Sequence, residues 1–77
     1  RMKRLTIILW FPDREERFEQ IYTRLIEIGH TVYAATFPDL REPVMFVRNN
    51  VYRGISRINE VIEEFIKNGQ EMMHVEE

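Results

Sequence analysis

The chain has 77 residues, which is enough for one small domain, and we expect residues 1–77 to form a single folded unit. It is 44% hydrophobic and 31% charged, which is typical of a globular domain, and it has no cysteine, which excludes disulfides and thiolate chemistry. A formal net charge of −2 argues against a nucleic-acid binder, because such proteins usually carry a basic excess. The longest apolar run, residues 5–11, is too short to span a bilayer and lacks the cleavage pattern of a signal peptide, so a cytoplasmic location is expected.

The first half of the chain predicts a strand, a helix and a second strand. Residues 5–11 are β-prone and apolar on both faces, as in a central strand. Asp13 is a suitable N-cap for a helix over residues 14–28, where apolar residues recur at helical spacing, and Gly29 stands at the C-terminal position. Residues 31–37, rich in β-branched and aromatic residues, predict the second strand.

The second half predicts two more strands and a second helix. Residues 38–43 form a turn bounded by prolines, so residues 44–48 are expected to pair with the second strand as an antiparallel hairpin. Asn49 and Asn50 are N-cap candidates for a helix that ends before Gly69, and residues 70–75 alternate enough to predict a fourth strand. The apolar stripe of this helix is Val51, Ile55, Ile58, Ile62 and Phe65.

The predicted order is therefore βαββαβ, an α/β chain of the α+β two-layer sandwich type. This order resembles the ferredoxin-like fold, which implies a four-stranded antiparallel sheet with two helices on one face. That fold hosts many unrelated functions, so the function has to be inferred from a site.

One face of the predicted sheet stays uncovered, and we expect it to carry Ile8 and Trp10 from the first strand and Tyr33 from the second. Leu5, Ile7, Leu9 and Phe11 form the more apolar set and are assigned to the core. Three interpretations remain open for the uncovered face: an apolar patch without a role, an interface for a homodimer or a protein partner, and a platform on which nucleic-acid bases stack.

The polar residues most suggestive of a ligand are Arg48, Asn50, Arg53 and Arg57, near the expected start of the second helix. Helix N-termini present free N–H groups to anions, and arginine forks suit phosphate or carboxylate. The alternative is plain asparagine capping with solvated arginines. The Walker and dinucleotide glycine patterns are absent.

No catalytic, metal-binding or cofactor-binding residues are predicted. His30 and His74 lack partners at metal-ligand spacing, and Ser56 has no adjacent base. Residues 8–13 and the Arg/Glu-rich segment after them resemble the first strand–helix junction of small CRISPR-associated integration and nuclease proteins. Those proteins have aspartate in place of Trp10, so no nuclease activity is expected. Acylphosphatases share the predicted topology, but their first loop has no match here, and the chain is assigned to neither family.

Three functional hypotheses follow. The first is a stable, non-enzymatic scaffold, engineered or computationally designed, because caps, turns and apolar pattern agree everywhere and no local rule is broken for a site. The second is a natural interaction or regulatory module, of viral origin in one version, that acts through the uncovered face or as a homodimer. The third is a nucleic-acid binder, which the charge disfavours.

Overall fold

The structure is a computed structural model that describes the backbone of residues 4–75 and the side chains of residues 4–68. It contains four strands and two helices in the order βαβββα. The elements are β1 (Thr6–Phe11), α1 (Glu16–Ile28), β2 (Thr31–Thr36), β3 (Val44–Val47), β4 (Asn50–Arg53) and α2 (Ile55–Val75). Neither described helix has the length and apolar character that a membrane crossing requires.

The strands form one mixed sheet in the order β2-β1-β3-β4. β1 lies inside the sheet, parallel to β2 and antiparallel to β3, while β4 pairs antiparallel with β3 at the far edge. The connection from β2 to β3 therefore crosses the end of β1, where the Phe37 N–H donates to the Phe11 carbonyl at 2.8 Å.

Both helices pack on the same face of the sheet, as the sequence predicts, and one core lies between the layers. Ile7, Leu9 and Phe11 of β1 are fully buried there, because alternate residues of a strand point to the same side. The other buried members of the core are Met45 and Val47 of β3, Phe18, Ile21 and Leu25 of α1, and Ile58, Val61 and Ile62 of α2.

The predicted βαββαβ order is wrong, because the fourth strand precedes the second helix. Arg48 and Asn49 form a two-residue turn in which Arg48 has a φ of 57°, and Asn50 begins β4 rather than a helix. Val51 thus lies in a strand. Helix α2 does not end before Gly69: its backbone continues through Gly69 and includes residues 70–75, which were predicted as a strand.

The predicted hairpin of the second and third strands is also wrong. β2 and β3 lie on opposite sides of β1, so the sheet is mixed rather than antiparallel. A seven-residue connection, residues 37–43, is long enough to step over one intervening strand, and the buried face of β1 gains a neighbour on each side.

The first helix matches its prediction except at its start. Its N-cap is Glu15, and Asp13 instead accepts a hydrogen bond from the Glu15 N–H at 3.1 Å. Gly29 closes the helix in the left-handed conformation, with a φ of 111°, as predicted.

Candidate interaction surface

The sheet has one face that no described helix covers, and we name it the open face. Ile8 and Trp10 of β1 point to it because they alternate with the buried Ile7 and Leu9. The strand register aligns Tyr33, Ile8, Phe46 and Val51 in one row across the sheet. The next row consists of Ala35, Trp10, Val44 and Arg53.

Aromatic rings form the centre of the open face. Trp10 meets Phe46 edge to face with centroids 4.6 Å apart, and it meets Phe37 in the same way at 5.1 Å. Such pairs are favourable because the positive edge of one ring meets the negative face of the other. Val44, beside Trp10 in the same row, is only 2% exposed although it lies outside the main core, so this cluster forms a second, smaller apolar layer.

The open face remains accessible around that cluster. Four of its large apolar side chains keep two fifths or more of their area exposed: Ile8 40%, Phe37 43%, Val51 46% and Tyr33 63%. They surround the half-buried Trp10 and Phe46. Contiguous exposed apolar groups of this kind typically mark a binding surface, whereas scattered ones do not.

The charge on the open face is sparse and basic. Among the strand residues that point to it, Arg53 is the charged one, and Arg48 stands exposed in the turn between β3 and β4. The acidic residues of the described chain lie mostly on the two helices, on the other side of the sheet. The described strand residues therefore give the open face an apolar middle with basic groups at its margin.

Sequence reasoning identified Ile8, Trp10 and Tyr33 and missed Phe37, Phe46 and Val51. The alternation of β3 would have found Phe46, since its neighbours Met45 and Val47 are buried in the core. Val51 could not be found, because its spacing to Ile55 and Ile58 fits a helical stripe as well as a strand.

The structure does not bring the predicted anion-binding residues into one site. Asn50 and Arg53 lie at opposite ends of β4 and, three residues apart, point to opposite faces. Arg57 lies over the Tyr52 ring at 5.4 Å and pairs with Glu60 at 3.0 Å. The second helix begins at Ile55 rather than near Asn50, so its N-terminal N–H groups lie next to Arg53 and Arg57 in the chain, at the end of β4 that is away from Arg48 and Asn50.

His30 is the one buried polar residue of the described core, at 5% exposure. Its Nδ1 accepts a hydrogen bond from the Leu5 N–H at 3.1 Å, so the neutral ring carries its proton on Nε2, which faces no hydrogen-bond partner within residues 4–68. Burial lowers the pKa of His30 below 6.5. These features give His30 a structural role, joining the start of β2 to the start of β1.

Metal binding and nucleophilic catalysis each require a specific cluster of side chains. Residues 4–68 hold no cluster of histidine and carboxylate side chains that could bind a metal ion. An open groove on α1 is lined by Glu16, Glu19, Gln20, Thr23 and Arg24 and is exposed to solvent. The side chain of His74 lies outside the described residues.

Comparison of the chain with protein-family models, with curated proteins and with solved structures gave no match. The architecture alone therefore defines the class of this protein: a small α+β domain with a four-stranded mixed sheet and two helices on one face.

Proposed function

We propose that this domain is a protein-interaction module that binds through its open face and catalyses no reaction. The observation that carries the proposal is the exposed aromatic and aliphatic surface built on Trp10, Phe37 and Phe46. Trp, Tyr and Phe are enriched at protein interfaces, because they bury a large area and lose little conformational entropy.

The partner we propose is a protein segment with apolar residues at its centre and carboxylates at its margin. Arg53 and Arg48 supply charges for such a partner, and Tyr33 supplies an exposed hydroxyl. A second copy meeting face to face is less suitable, because the described strand residues of its open face offer no carboxylate to these arginines.

Single-stranded nucleic acid is the competing occupant. Stacking platforms for nucleic acid combine aromatic rings with a positively charged path along the backbone. The described strands place one arginine, Arg53, on the open face, which is too little charge for such a path. The scaffold hypothesis is also less well supported, because a partnerless domain gains solubility from polar side chains at these positions.

The proposal can be tested by selecting short random peptides on the immobilised domain. We expect the selected peptides to be rich in apolar and acidic residues. Their binding is expected to shift the emission of Trp10, the single tryptophan of the chain, to shorter wavelength. Ile8→Gln should weaken binding about tenfold, because it places a polar amide at the centre of the open face, where the partner would desolvate it.

The matched control is Thr23→Gln, which changes an exposed residue on the outer surface of α1 and should leave binding unchanged. An oligothymidine strand serves as the competing probe. The proposal would be contradicted if Ile8→Gln left the affinity for the peptides unchanged, or if the domain bound oligothymidine with an affinity that falls steeply with salt.

A further inference from the structure

The two edges of the sheet differ in how they are protected. β4 is four residues long and ends in Arg53, and short, charged strands make poor templates for further pairing. β2, at the other edge, has the sequence Thr-Val-Tyr-Ala-Ala-Thr over six residues, with no charge, proline or glycine. The residues of β2 themselves therefore lack the devices that prevent strand addition, although the side chain of Arg14 donates to the Thr36 hydroxyl at 3.3 Å at the end of the strand.

Hydrogen bonds at both ends of β2 fix which of its backbone groups face outward. The Thr31 N–H donates to the Leu5 carbonyl at 2.9 Å, and the Phe37 N–H donates to the Phe11 carbonyl at 2.8 Å. In a parallel ladder alternate residues bond the same neighbour, so the odd-numbered residues of β2 bond β1. The N–H and C=O groups of Val32, Ala34 and Thr36 therefore point away from the sheet.

We propose that β2 pairs antiparallel with β2 of a second copy, giving a two-fold symmetric dimer whose continuous sheet takes four strands from each copy. The two-fold axis passes beside Ala34. In this register Val32 faces Thr36 of the second copy, and Ala34 faces its own equivalent. Every outward N–H and C=O group of the three residues then meets a complementary group, as in hydrogen-bonded antiparallel pairs.

The open-face side chains at this edge fit the same register. Tyr33, the most exposed of the large apolar residues, would lie opposite Ala35 of the second copy, whose small side chain leaves room for the ring. Phe37 would lie opposite Thr31 and diagonal to Tyr33, within reach of an aromatic ring. The strand carries no charge, so its pairing with itself brings no like charges into opposition.

The helix layer provides a third apolar group at the edge. α1 packs near β2 and α2 near β4, and Arg24 of α1 pairs with Glu63 of α2. Ile26, two residues after Arg24, lies about 200° further around the helix and thus on the flank that faces away from α2. Its exposure of 44% would fall when α1 of the second copy packs beside it.

This inference goes beyond the proposed function, since it concerns the backbone of β2 and not the occupant of the open face. The test combines sedimentation equilibrium with amide hydrogen exchange of the full chain. We expect a dimer in which the Val32, Ala34 and Thr36 amides become protected as concentration rises. The Val51 amide, which the two-residue turn directs outward on β4, should exchange fast at every concentration.

Two variants identify the interface. Ala34→Pro removes an outward N–H without removing a bond to β1, and Ile26→Lys places a charge on the α1 flank; each should weaken the dimer about tenfold or more. Gln20→Lys changes an exposed residue of α1 on the side of the helix away from Ile26, so it is the matched control and should leave the dimer intact.

A monomer at all concentrations, or a dimer in which those three amides exchange fast, would overturn the inference. Ile26→Lys should still bind the peptides selected on the open face. The two measurements are therefore independent: the dimer can fail while the open face still binds peptides, and the open face can fail to bind while the dimer forms.

Discussion

Trp10 and Phe46 meet edge to face, 4.6 Å between centroids, on the side of the sheet that neither helix covers. Their strands are the two inner strands of the sheet, and both are apolar on both faces. Strands of this composition are usually buried on both sides. Here one side is covered by α1 and α2, and no described element covers the other.

The two faces of β1 should respond differently to the same substitution. Ile7 is fully buried and Ile8 is 40% exposed, although they are neighbours of the same residue type. We expect Ile7→Gln to destabilise the domain by about 3–5 kcal/mol, because it removes core contacts and buries an amide. Ile8→Gln should cost about 1 kcal/mol or less. Urea unfolding followed by circular dichroism measures both, and equal losses would mean that the open face is part of a core.

Stability should depend on pH through His30. Burial holds its folded-state pKa below the ordinary value of 6.5, so the unfolded chain binds the proton more readily. This contribution to stability is complete above 6.5 and is lost as the pH falls from there through the folded-state pKa. His30→Asn, which does not titrate, should flatten the dependence in that window. Urea midpoints of the two proteins across the window check this, and parallel curves would assign the dependence to other groups.

Gly54 should resist substitution because of its backbone conformation. It precedes α2 with a φ of 90°, and its N–H donates to the Pro43 carbonyl at 2.8 Å. A Cβ there would also lie 3.3 Å from Glu42 Oε1. We expect Gly54→Ala to lower the free energy of unfolding by about 1–2 kcal/mol.

Gly54→Asn separates the two causes, since asparagine also carries a Cβ but tolerates left-handed conformations better. Asparagine should recover part of the loss that alanine causes. If both variants lose the same stability, crowding against Glu42 rather than φ is responsible.

Gly69 distinguishes the observed helix from the predicted strand. In the structure it lies inside α2, where alanine is favoured over glycine by about 0.5–1 kcal/mol. A Gly69 at a helix end in the left-handed conformation would instead be destabilised by alanine. We therefore expect Gly69→Ala to raise both the helical circular dichroism signal and the melting temperature. A decrease in both would instead support the predicted end of the helix before Gly69.

The features that were predicted correctly are those whose local sequence pattern fits only one kind of structure. The core assignment of Ile7, Leu9 and Phe11 follows from strand alternation, and the end of α1 follows from Gly29. Val51 and the asparagines before it fit either a helix start or a hairpin turn, and the choice depends on pairing with β3, which is not a local property. The position of β2 is equally non-local, because a short connection predicts a hairpin unless another strand already occupies the place beside it.

The same limit applies to the candidate site. Ile8, Trp10 and Tyr33 could be found because β1 and β2 were correctly identified. The cluster of Arg48, Asn50, Arg53 and Arg57 was predicted for a helix start near Asn50, but α2 begins at Ile55, so its members lie in a turn, on the two faces of β4 and in the first turn of α2.

Mapping amide chemical shifts of the isotope-labelled domain during titration with a selected peptide would test most directly whether the open face binds. We predict that the largest changes occur at Ile8, Trp10, Tyr33, Phe46 and Val51, with little change along α1. Changes concentrated on the outer surface of α1 or on the first turn of α2, with the open face unaffected, would contradict the proposed function.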